Sequence, residues 1–251
     1  MQRQSFAARI WSKLLAHEKA EGLLSRGDRV LAAVSGGPDS VCLAHYLAQR
    51  ARPLRLTVSL LHVHHGLRGR AADLDAAFVA ALGARLGLPV SVARVDARAA
   101  AKARRGGVED AARHLRYAAL LKEARRLRCV SVAAGHHLDD QAETVLLNLL
   151  RGTKLSALGA IAPRRPLAPR VALIRPLLAL SRAEVLEYLK RHDLPHRVDR
   201  TNADAGFTRN WLRRDILPRL ARRQPRVREH LAGIAAQVRQ INVLELSSDE
   251  R

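Results

Sequence analysis

The stretch 30–40, VLAAVSGGPDS, constrains the fold of this chain more than any other, because it reads as a buried strand emptying into a glycine-rich loop. Leu31, Ala32, Ala33 and Val34 form a nearly continuous apolar run, the pattern of a parallel strand covered on both faces. Ser35, Gly36 and Gly37 then remove side-chain bulk, so that backbone N–H groups can converge on an anion. Pro38 has no N–H to give, but its fixed φ suits a first helical turn, and Asp39 and Ser40 lead into helical spacing over 41–49. A phosphate in such a loop also meets the positive end of the helix. The loop is neither the Walker sequence nor Gly-x-Gly-x-x-Gly.

Strand and helix alternate after the loop. Strands are predicted over 54–64, 89–95 and 129–134, with helices over 71–86 and 109–126. This order predicts an α/β fold, an open and mostly parallel Rossmann-like sheet with helices on both faces and ligands gathered outside the carboxyl ends of its strands. The stretch 97–107, ARAAAKARRGG, has no strand signal and reads as a mobile basic loop over the site or a solvated turn. RRPLAP at 164–169 reads as a connection, followed by a short strand at 171–174. Ser181 and Glu184 form a capping box for a helix to about residue 192, and from residue 208 the chain is helical again, broken at Pro218 and Pro225. These features divide the chain into a catalytic domain over 1–215 and a short helical extension over 216–251.

With 44 basic against 23 acidic residues, the formal charge of +21 calls for a polyanionic partner. A membrane is disfavoured, since no apolar run approaches the ~20 residues that span a bilayer. The amphipathic start of the chain carries Glu18 and has no cleavage site after an apolar core, which is the character of a surface helix. Cys42 and Cys129, the only cysteines, sit in apolar segments without a paired or zinc-binding spacing, as buried thiols of a cytoplasmic protein would.

GHHLDDQAET, at 135–144, is the most chemically loaded stretch. A helix starting near Leu138 leaves His136 just before it and puts Asp140, Glu143 and Thr144 on neighbouring faces. Two histidines and three acids exceed what capping requires and suit magnesium or a cationic amine. A transition-metal hydrolase built from His62, His64, His65, His136, His137, Asp139 and Asp140 is the other reading, but it leaves the glycine-rich loop without a task.

SGGPDS resembles the pyrophosphate loop of N-type ATP pyrophosphatases, which split ATP between its α and β phosphates. In order, SGGPDS, HVHHGLR, EDAARHLRY, GHHLDDQAETVLLNLLRGT, IRPLL and RVDRTNADAGFTRNWLRRDILPRL resemble the motifs of the tRNA(Ile)-lysidine synthase family, over 29–220. The resemblance implies ATP-dependent adenylation of the wobble cytidine of the isoleucine tRNA with a CAU anticodon, followed by attack of free lysine at C2 and loss of AMP. It implies pyrophosphate binding by Ser35, Gly36, Gly37, Pro38, Asp39 and Ser40, with Asp39 as the magnesium ligand. His136, Asp140 and Glu143 would line the lysine and adenylate site. Arg113, Arg116, Arg209, Asn210 and Arg213 would hold phosphate charge or the anticodon stem. The oligomeric state stays open, a homodimer included. A thiolase of the same superfamily is disfavoured, because sulfur delivery needs cysteine pairs or an iron–sulfur cluster.

Overall fold

The structure is a computed structural model that describes residues 6–66, 69–104, 107–197 and 207–249. Six strands form one sheet: β1 (Arg29–Ala33), β2 (Thr57–His64), β3 (Val90–Arg94), β4 (Ser131–Ala133), β5 (Arg164–Ala168) and β6 (Val171–Ile174). Their order is β3-β2-β1-β4-β6-β5, parallel throughout except for β5, which runs antiparallel at the edge. The order reverses direction between β1 and β4, so the crevice outside their carboxyl ends is where an open parallel sheet accepts a ligand.

The apolar runs fill both faces of this sheet. Val30 and Ala32 of β1 pack into one layer with Val41, Leu43 and Leu47 of α2 (Pro38–Leu54) and with Ile10 and Leu14 of α1 (Phe6–Ala20). Tyr188 and Leu189 of α7 (Arg182–Arg191) complete that layer. Leu31 points the other way, joining Leu61, Val132 and Leu173 against Leu120 and Ala124 of α5 (Val108–Arg126). The alternation along β1 is the two-residue period of a strand buried on both sides. Helix α3 (Arg70–Leu86) crosses between β2 and β3. Both cysteines are buried and free.

The mostly parallel α/β architecture agrees with the sequence reading, and three local expectations are corrected. The stretch 97–107 is not all loop: α4 spans Ala97–Arg104. Its alanines are strong helix formers, and the Asp96 carboxylate accepts from Ala99 N at 2.9 Å to cap it. RRPLA is not a connection but β5, where an edge position tolerates the missing N–H of Pro166 and the register slips between Pro166 and Ala168. Pro218 does not break the chain's helical course. Helix α8 (Phe207–Trp211) runs through a π-helical turn, Leu212–Ile216, into α9 (Leu217–Arg223), and the wider turn accommodates the proline ring at the start of α9. Pro225 does separate α9 from α10 (Val227–Asp249). Leu217, Leu231 and Ala235 of these helices pack on Ala142 and Val145 of α6 (Leu138–Leu150). No helix among the described residues is long and apolar enough to cross a membrane.

Candidate nucleotide-binding site

The loop between β1 and α2 holds its shape through its own residues. Ser40 Oγ accepts from Ser35 N at 3.2 Å and Gly36 N at 3.1 Å and donates to Gly37 O at 2.9 Å. These bonds gather N–H groups at the positive end of α2, the arrangement that receives phosphate oxygens. Gly36 has φ +93°, a conformation that favours glycine, and a Cβ there would sit in tight contact, 3.2 Å from the Phe78 ring. Behind the loop, buried His62 donates from Nδ1 to Val34 O at 3.0 Å, and Arg197 N bonds Gly36 O at 2.9 Å.

Asp39 lies where the loop meets the end of β4. Among the described residues its Oδ1 is buried without a hydrogen-bond partner, 3.8 Å from His137 Nε2, while Oδ2 is 3.5 Å from Arg182 Nη1. Burial raises the Asp39 pKa, partly offset by the nearby His137 ring and the charge of Arg182. A buried carboxylate oxygen with no donor is a fitting ligand for a hard cation. Gly135 allows the approach of the two segments: a Cβ there would lie 3.1 Å from the Asp39 carbonyl carbon and oxygen.

Helix α6 opens on a capping box. His137 Nδ1 accepts from Asp140 N at 3.4 Å, and Asp140 Oδ2 accepts from His137 N at 3.0 Å. His137 is therefore a cap, and among the described residues no group of three or more His, Cys, Asp or Glu side chains is placed to hold a metal. Burial opposes ionisation of Asp140, but the ring and backbone N–H of His137, the nearby His136 ring and the charge of Arg209 hold its carboxyl below the ordinary value. Burial lowers the His136 pKa to about 4, Asp140 opposing and Arg175, Arg116 and Arg113 adding to the shift.

Asp140 and Glu143 do share a face, but arginines occupy it. Arg213 holds Glu143 through Nε at 2.6 Å and Nη2 at 2.9 Å, Arg209 Nε adds a bond at 3.0 Å, and Arg213 Nη2 also reaches Asp140 Oδ1 at 3.2 Å. The Glu143 side chain is 1% exposed. The π-helical turn carries Arg213 and α8 carries Arg209, so the C-terminal helices supply the counter-charge of α6. Asn210 lies between them on α8, half-buried. Asp139 is held likewise, by Arg228 Nε at 2.6 Å and by the N–H of Arg182 at 2.8 Å.

Arg113 and Arg116 stand apart from these pairs. They line a pocket of about 460 Å³ with His65, Gly107 and Asp110. With Arg165 of β5 they also surround the Tyr117 ring, their guanidinium carbons 5.6, 5.8 and 5.9 Å from its centre. Sequence reasoning missed Arg182, Arg228, Arg175, Arg197 and Gly135. Arg175, Gly135 and Arg197 stood inside the quoted motifs IRPLL, GHHLDDQAET and RVDRTNADAGFTRNWLRRDILPRL; Arg182 and Arg228 had no signal beyond being arginine in an arginine-rich chain. The segment DRTNADAG, at 199–206, lies outside the described residues.

An open parallel sheet with a phosphate-gathering loop at its switch point defines the nucleotide-binding α/β class, and the chain belongs to the PP-loop domain family, which matches residues 7–220. It is 46% identical over 202 residues to a tRNA(Ile)-lysidine synthase of Symbiobacterium thermophilum, covering 80% of this chain and 42% of the relative. With that of Chlorobaculum tepidum it shares 39% identity, covering 82% of this chain and 61% of the relative. The chain spans about half the length of the curated relatives it matches. In fold it is similar to a U34-tRNA thiolase of Methanococcus maripaludis, with a TM-score of 0.76 at 21% identity over 93% of this chain and 80% of that one.

Proposed function

We propose that this chain ligates lysine to C2 of the wobble cytidine of the CAU-anticodon isoleucine tRNA, ATP first adenylating the cytidine with release of pyrophosphate and lysine then displacing AMP. The observation that carries the reading is the buried Oδ1 of Asp39, without a hydrogen-bond partner among the described residues, beside the phosphate-gathering loop. The names of the relatives support the choice of substrate. Asp39 would hold magnesium through that oxygen, with phosphate oxygens and water completing the shell. When bound, the ion neutralises phosphate charge at the bond that breaks. The N–H groups of Ser35, Gly36 and Gly37 would pass to pyrophosphate oxygens, with Pro38 fixing the entry to α2.

Asp140 and Glu143 would supply the negative field that draws the ammonium groups of free lysine, competing with Arg209 and Arg213 for the same oxygens. A desolvated site lowers an amine pKa and so favours the neutral nucleophile. Arg113 and Arg116, with Arg209, Asn210 and Arg213, would meet the RNA, and the charge of +21 favours its approach. The two buried cysteines fit a cytoplasmic enzyme, and a homodimer, tested by sedimentation, is part of the reading.

The test is incubation with ATP, labelled lysine and transcripts of the isoleucine tRNA, with the methionine tRNA as control. Incorporation into the isoleucine transcript alone, one AMP and one pyrophosphate per lysine, is expected. Pyrophosphate release without lysine incorporation would sink the ligase reading. The fold also serves a thiolase, but the two cysteines lie in different layers of the core, Cys42 on α2 and Cys129 before β4, which leaves sulfur transfer without a cysteine pair.

A further inference from the structure

Arg175 follows β6 directly and reaches the catalytic end of β4 from a closed position. It is 5% exposed. Its N–H bonds Pro163 O at 2.9 Å, its carbonyl accepts from His17 Nε2 at 3.2 Å, and its Nη1 donates to Ala162 O. The head group so anchored donates from Nε to His136 Nδ1 at 3.3 Å. A guanidinium has donors and no acceptor, so Nδ1 of His136 must be the acceptor and carry no proton. In a neutral imidazole the proton then sits on Nε2, because the bond made by one ring nitrogen fixes the state of the other.

The surroundings keep the ring neutral. Arg175 bonds it from the end of β6, and the charges of Arg113 and Arg116 on α5 act on it in the same sense. The Asp140 carboxylate on α6 opposes them, and burial acts in the same direction as the arginines. A nitrogen that already carries a proton cannot accept one. The other ring nitrogen of His136, Nε2, can therefore donate a hydrogen bond but cannot act as a base.

Resting on the adenylation reading, we propose that Arg175 is a positioning residue that locks His136 as the neutral Nε2–H tautomer, so that His136 donates a hydrogen bond to an oxygen of the reacting phosphoryl group and does not deprotonate the attacking amine. No bond to hydrogen is made or broken at His136. Its contribution is a preorganised donor aimed at charge that develops on oxygen, which is worth roughly 10²–10³ in rate for one such donor. A neutral donor also avoids adding a cation next to three arginines.

Two measurements test the proposal. Long-range nitrogen–proton NMR of the full chain, with His136 identified by its loss in His136→Ala, is expected to show an unprotonated Nδ1 and a protonated Nε2. A protonated Nδ1 overturns the proposal. The second compares His136→Gln with His136→Ala. Glutamine places an amide N–H near the Nε2 position and has no basicity, so it should cost about tenfold in kcat for lysine transfer, against roughly 10²–10³ for alanine, with little change in the KM for ATP. Glutamine falling as far as alanine overturns the donor role. Arg175→Lys, which keeps a donor, should retain the wild-type nitrogen pattern, and Arg175→Met should release it. The spectrum is read without substrates, so a wild-type chain with no ligase activity would count against the function and leave the tautomer decided.

Discussion

Around the loop after β1, Ser40 Oγ bonds Ser35 N, Gly36 N and Gly37 O, partners three to five residues away. On α6 the carboxylates reach much further: Asp139 to Arg182 and Arg228, 43 and 89 residues on, and Glu143 to Arg209 and Arg213, 66 and 70 residues on. The first half of the site is shaped by a short piece of chain and the helix it opens. The second exists in this form only once α8 to α10 have docked on α6 through Leu217, Leu231 and Ala235. A site divided in this way should have separable failures, one chemical and one structural.

The largest effect is expected at the point where the halves meet. Asp39→Ala should lower the rate of pyrophosphate release about 10³-fold, the equivalent of several kcal/mol of lost charge stabilisation, while the melting temperature and tRNA affinity hold. Wild-type pyrophosphate release by this variant would remove Asp39 from the chemistry. Glu143→Ala should instead act on stability. It leaves Arg213 and Arg209 without their buried partner, and because both guanidiniums are about a third exposed the low end of the range applies, about 3 kcal/mol in a urea melt. Unchanged stability would mean that the C-terminal helices dock without this pair.

Gly135→Ala probes the seam itself. Its Cβ would meet backbone rather than a flexible side chain, so we expect a loss of about 2 kcal/mol and weaker ATP binding together, measured by melts and by nucleotide titration. A stable variant with normal ATP affinity would show that the two segments can move apart freely.

The smallest effect lies away from the site, between α2 and α7. His45 is buried, bonded through Nδ1 to the Tyr188 hydroxyl at 2.6 Å, with Gln49 and the His192 ring beside it. Burial, with lesser contributions from His192 and Arg85, lowers its pKa to about 4. The unfolded chain, with an ordinary histidine pKa near 6.5, binds the proton more readily, so this stabilisation is complete above about pH 6.5 and is lost as pH falls toward 4. Between pH 7 and 5 the loss should be about 1–2 kcal/mol, and His45→Asn should flatten that part of the stability profile. An unchanged slope would assign the acid sensitivity to other groups.

The same division explains what could be read from the residues alone. The strand, loop and helix over 29–54 were legible because an apolar run, two glycines and a proline encode that turn by sterics within a few residues. The capping box of Ser181 and Glu184 was legible for the same reason, both bonds closing within three residues. RRPLA was misread because β5 owes its existence to pairing with β6 at a sheet edge, a partner that the proline-rich sequence does not announce. The helix α4 was misread because the basic, glycine-ended composition of 97–107 outweighed its alanines in a reading that had no view of the Asp96 cap.

The sequence by itself determined the α/β class, the phosphate-gathering loop and the acidic opening of α6, since each rests on periodicity or on backbone geometry that a few neighbouring residues enforce. Only the tertiary structure decided which arginine meets which acid. Arg213 and Arg209 on Glu143, Arg228 on Asp139 and Arg175 on His136 are choices among many basic side chains with equal local credentials. They are settled by where the docked helices bring charge out of water, and Coulomb attraction acts across space without regard to separation along the chain.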